Sequence, residues 1–108
     1  MGMRFPTVER RREPRFTVES AANVVTGPGR TQAGTVVDVS DHGLGLSCAK
    51  APGRNGESVK VCVEKAVITG RLKYCRQMGS EFVAGVQLTR RLSRAQVQAL
   101  LAQFVARI

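Results

Sequence analysis

Two short stretches concentrate the residue types that recognise phosphates and purines. Arg10-Arg11-Arg12-Glu13-Pro14-Arg15 supplies guanidinium groups, and Asp38-Val39-Ser40-Asp41-His42-Gly43 supplies a carboxylate, a hydroxyl and a glycine. Pro14 disfavours helix for Glu13, so the first stretch is expected to run extended. Arg11 and Arg15 are then four apart on one face, with Arg12 on the other. A guanidinium grips phosphate oxygens, or the O6/N7 edge of guanine, through two parallel hydrogen bonds. In the second stretch, Asp38 and Ser40 are expected on one face of a strand end. A carboxylate there accepts from N1–H and N2–H₂ of guanine. Gly43 can take a positive φ, which lets backbone N–H groups approach a ligand. Taken singly, each stretch has a plainer reading: a solvated basic tail, and a structural Asx-turn.

Other chemistry is poorly supplied. Cys48, Cys62 and Cys75 form no C-x-x-C pair, and His42 is the only histidine. Metal sites call for closely spaced ligands, so none is expected; three reduced, mostly buried thiols are. No Cys–His or Ser–His–Asp set is visible, so no catalytic residues and no enzyme are expected. His42 reads as an exposed turn residue.

The elements that must position these residues follow from periodicity. Residues 1–14 read as an irregular, flexible basic arm punctuated by Pro6 and Pro14. Strand patterns follow at 15–25, 31–39, 44–48, 58–64, 66–76 (bulged near Gly70) and 81–88, separated by Gly- and Pro-rich turns. The period then changes. Val97, Leu100, Leu101, Phe104, Val105 and Ile108 make one helical stripe. Ser93 with Gln96 forms a capping box, with Leu92 and Val97 placed as a hydrophobic staple, which predicts a helix over about 94–107. The fold class is all-β with a C-terminal helix, a small antiparallel barrel over residues 15–108 whose helix covers one mouth.

Arg-x-x-x-Arg ahead of the first strand, then Asp-x-Ser-x-x-Gly between strands two and three, resembles the PilZ domain. Glu9-Arg10 and Gly85-Val86-Gln87-Leu88 are also similar to PilZ sequences, although Leu88 stands where Phe is usual. The resemblance covers roughly residues 8–92. It implies a six-stranded antiparallel PilZ-type β-barrel that binds cyclic di-GMP, singly or as an intercalated pair, with the arm folding over the ligand. Implied ligand contacts are Arg10, Arg11, Arg15, Asp38, Ser40 and Gly43; Arg76 and Gln87 could also reach the site. No other cofactor is implied. A downstream protein would read the ligand-ordered surface, in control of motility, biofilm or exopolysaccharide.

Composition agrees with an anionic partner. Seventeen Lys and Arg against eight Asp and Glu leave a net charge of +9, concentrated in residues 4–15, 71–76 and 90–107. A small basic barrel binding nucleic acid is the alternative, but one Tyr, four Phe and no Trp leave few rings for base stacking. Neither a membrane span nor a secretory leader is evident, so a cytoplasmic protein is expected.

Overall fold

Val, Ile and Leu alternate with polar residues through six segments, and each becomes a strand with one face buried. The computed structural model describes residues 15–106. Its strands are β1 (Phe16–Gly27), β2 (Arg30–Val39), β3 (Gly43–Cys48), β4 (Ser58–Val63), β5 (Ala66–Met78) and β6 (Glu81–Leu88), followed by one helix, α1 (Arg94–Ala106). The strands close into an antiparallel barrel in the order β1-β2-β3-β6-β5-β4. The arm, residues 1–14, lies outside the described residues, as do its Arg10, Arg11 and Arg12.

Turn chemistry sets the hairpins. Gly29 (φ 72°) and Gly79 (φ 66°) take the left-handed conformation that lets Pro28-Gly29 and Gly79-Ser80 reverse the chain in two residues. The barrel interior is filled by inward residues from every strand. Val24, Val36, Leu44, Leu46, Val59, Val61, Val63, Ile68 and Leu72 are each at most 2% exposed. Ring closure rests on a short seam: β1 meets β4 only at Asn23–Cys62, Val24–Val61 and Val25–Lys60.

Besides the shifts of β1 against β2, two bulges decide which side chains of β2 and β5 face outward. Register shifts between Val36 and Asp38, and again between Leu72 and Tyr74. Val37 and Lys73 are the extra residues, and each changes the inside–outside phase of its strand. On β5 the buried residues before the bulge are Ile68, Gly70 and Leu72, while Tyr74 beyond it is exposed and Cys75 turns partly inward. The bulge expected near Gly70 is therefore at Lys73. Gly70 pairs regularly with Val59 and Leu88. It is needed instead because a Cβ there would strike the Gln87 backbone and approach Val86 Cγ1 to 2.7 Å.

The helix starts at the expected capping box. Gln96 N–H donates to Ser93 Oγ (3.1 Å), and Ser93 N–H donates to Gln96 Oε1 (2.8 Å). α1 packs on β1 and β5, which are separated in the ring by β4, so it crosses one end of the barrel. Leu100 enters the core. Its carbonyl accepts from the buried Ser20 hydroxyl at 2.6 Å, and Gln96 Nε2 donates to the Val67 carbonyl at 2.9 Å. The docked face is narrower than the stripe, because Val97 is half-buried and Leu101 is 41% exposed. Among the described residues no helix is long and apolar enough to cross a membrane.

Candidate functional site

The strand ends bring both sequence motifs to one place. Arg15 stands immediately before β1, and Thr17 pairs with Asp38 near the end of β2. This antiparallel register carries the Arg15 guanidinium back to the Asp38 carboxylate, where Nη2 donates to Oδ1 at 2.7 Å. Both side chains keep substantial exposure, 44% and 36%. Residues 23 apart in sequence thus form one ion pair on the barrel's outer wall.

The turn from Ser40 to Gly43 closes beside this pair, with Ser40 N–H donating to the Gly43 carbonyl at 2.9 Å. Ser40 is 5% exposed, so it belongs to the turn and does not share the half-exposed face of Asp38. Gly43 is not among the positive-φ glycines, contrary to the sequence expectation. Its importance here is space. A Cβ at Gly43 would stand 3.4 Å from Ser40 Oγ and 3.9 Å from Arg15 Nη1, narrowing the passage between them. The His42 carbonyl accepts from Leu88 N–H at 2.8 Å, which ties the turn to the end of β6.

An open cleft of about 210 Å³ lies here, lined by Arg15, Ser40, His42, Gly43, Lys73, Tyr74 and Gln87 among others. Arg15, Ser40 and Gly43 were expected at this site, and Asp38 holds Arg15 at its edge. Gln87 joins them, paired with Gly43 on β3 and Arg71 on β5. Arg76 reaches the rim indirectly, its guanidinium 5.2 Å from the centre of the Tyr74 ring, within cation–π range.

Tyr74 and Lys73 were missed by sequence reasoning. Simple alternation from Ile68 and Leu72 puts Tyr74 inside the barrel, and only the bulge at Lys73 turns it out. The signal available was weak: the only Tyr of the chain, set among Arg71, Lys73 and Arg76. The arrangement offers guanidinium and ammonium groups for phosphate, an exposed aromatic face for a base, and a carboxylate acceptor for a base edge.

Two further charged contacts lie outside the residues that line the cleft. Arg91 donates to Asp41 at 2.6 Å, and this hydrogen bond holds the Asp41 carboxyl below its ordinary pKa. At the Ala51–Ser58 loop, Glu57 accepts from Arg54 N–H and from the Arg30 side chain, and both lower its pKa. All three cysteines are free. Burial pushes the Cys48 and Cys75 thiols upward, toward the unreactive protonated form. Among the described residues, no group of three or more His, Cys, Asp or Glu could hold a metal ion.

Comparison with known proteins adds a family. A family model described as PilZ domain matches residues 9–107. Among solved structures, the chain is similar to the Bacillus subtilis inhibitor of motility (MotI/DgrA), with a TM-score of 0.58 and 13% identity over 91% of this chain and 51% of that one. At such identity the likeness is one of fold, and the chain spans about half the length of that structure. No curated protein matches the chain.

Proposed function

The chain belongs to the PilZ domain family, a family of cyclic di-GMP receptors, across residues 9–107, and from that premise we propose that it binds this dinucleotide at the Arg15–Asp38 cleft. The observation that carries the reading is the ion pair itself. It joins the Arg-x-x-x-Arg and Asp-x-Ser-x-x-Gly segments at 2.7 Å beside a cleft that holds both basic and aromatic groups. Arg15, with Arg10 and Arg11 from the arm, grips phosphate and the guanine O6/N7 edge. Asp38 accepts from the guanine donor edge. Ser40 and Gly43 hold the turn open, and Tyr74 offers its ring to a base. The dinucleotide is captured unchanged, so the protein is a receptor and not an enzyme.

The output is a surface. Residues 1–14 fold over the bound ligand, and a downstream protein in the cytoplasm reads the result. The similar structure named an inhibitor of motility makes motility the first output to examine, ahead of biofilm and exopolysaccharide. Calorimetric titration with cyclic di-GMP tests the reading. Saturable binding is expected, at one or two ligands per chain, with GMP and single-stranded DNA bound far more weakly. An absence of binding, or equal binding of all three, would overturn it.

A further inference from the structure

Four residues form one row across four neighbouring strands. Asp38 on β2 pairs with Gly45 on β3, Gly45 pairs with Gly85 on β6, and Gly85 pairs with Tyr74 on β5. The two central positions carry no side chain, and the outer two lean over them. A Cβ built on Gly45 would stand 2.8 and 2.9 Å from the two Asp38 carboxylate oxygens. One built on Gly85 would land in the Tyr74 ring, 2.8 Å from Cζ and 2.9 Å from Cδ2.

Glycine inside a strand costs stability, so a directly paired couple asks for a reason. Backbone conformation is not the reason, since neither is among the positive-φ glycines. Close backbone packing is the reason at Gly70, where a Cβ would meet backbone. At Gly45 and Gly85 the nearest atoms are instead the ends of two partly exposed side chains. We propose that Gly45 and Gly85 are positioning residues for base recognition. They let the Asp38 carboxylate lie over β3 and the Tyr74 ring lie flat over β6. The acceptor and the aromatic face then sit about one strand spacing apart, roughly 4.8 Å. A guanine resting its face on Tyr74 therefore presents its N1–H/N2–H₂ edge to Asp38. This inference rests on the proposed cyclic di-GMP site and adds how one base is told from another.

The chain holds one Tyr and no Trp, so its intrinsic fluorescence reports Tyr74 alone. In wild type, cyclic di-GMP should quench it on binding. Gly85→Ala should displace the ring, abolish the quenching and weaken cyclic di-GMP and cyclic di-AMP alike by about tenfold, since stacking tolerates any base. Gly45→Ala should keep the quenching and lower the preference for cyclic di-GMP over cyclic di-AMP at least tenfold. Melting temperatures should stay close to wild type, because the displaced groups can swing into solvent. Gly85→Ala made on Tyr74→Ala, which also removes the clash, should cause no further loss. Wild-type affinity, selectivity and quenching in both glycine variants, or full additivity in the double variant, would overturn the positioning role and leave the site standing. A wild type that binds no cyclic di-GMP would overturn the site as well.

Discussion

Arg15 and Asp38 show how little an ion pair contributes to folding when both partners are partly exposed. Surface pairs of this kind are worth about 0–1 kcal/mol, so Arg15→Ala should barely move the melting curve. Its effect on binding should be much larger, about 2 kcal/mol or more, because a charge-assisted contact is lost; calorimetry beside thermal denaturation separates the two. Asp38→Ala removes the acceptor for the guanine donor edge. Its affinity ratio between cyclic di-GMP and cyclic di-AMP should therefore collapse toward one. An unchanged ratio would make Asp38 a turn-shaping residue only. These residues were legible in the sequence because each belongs to a short motif of specific chemistry, although 23 positions separate them. Tyr74 was not, because its exposure depends on a bulge that periodicity alone does not reveal. Ser40 was expected on the face of Asp38 and is instead buried in the turn, since the strand ends one residue before it.

Among the elements, the strands were read almost to their ends because alternation of Val with polar residues is a strong signal for a half-buried sheet. Bulges break that alternation by one residue and are hard to distinguish from it. Lys73→Ala should leave β5 in register and preserve the Tyr74 fluorescence of the folded protein. Deleting Lys73 should remove the bulge yet leave Leu72 facing Val86 and Tyr74 facing Gly85, so the ring should stay outside the barrel. Cyclic di-GMP binding should then weaken, because the Lys73 ammonium is gone from the cleft, while the fold persists, as read by titration and circular dichroism. The helix was legible at its start, where Ser93 and Gln96 satisfy each other's backbone. Ser93→Ala should cost about 1 kcal/mol in chemical denaturation. Its docking was less legible, because Ser20 is a strand residue whose hydroxyl reaches the Leu100 carbonyl eighty positions away. Ser20→Ala removes the second, buried donor to that helical carbonyl and should cost about 0.5–1.5 kcal/mol.

The whole molecule carries +9 charge, and salt separates its two binding alternatives. A nucleic-acid binder loses affinity steeply with salt across many sequences, whereas the receptor proposed here keeps its preference for one dinucleotide. Acid acts through Asp41 and Glu57. Their folded pKa values are lowered by Arg91 and by Arg54 with Arg30, below unfolded values of about 3.9 and 4.3. Their stabilisation is therefore present above those unfolded values and lost as pH falls through the folded ones. Melting temperature should drop over that acid range, and less so in Asp41→Asn combined with Glu57→Gln. The short seam between β1 and β4 governs how the barrel breathes. A ring held at three positions on one side opens there first, and backbone amides of Asn23–Val25 and Lys60–Cys62 should exchange with deuterium ahead of those in β3 and β6. The row from Asp38 to Tyr74 spans β2, β3, β6 and β5, the arc opposite that seam. A barrel caught momentarily unzipped still presents an intact reading surface, and keeps β1, with the Arg15 that precedes it, held on β2 through their long register.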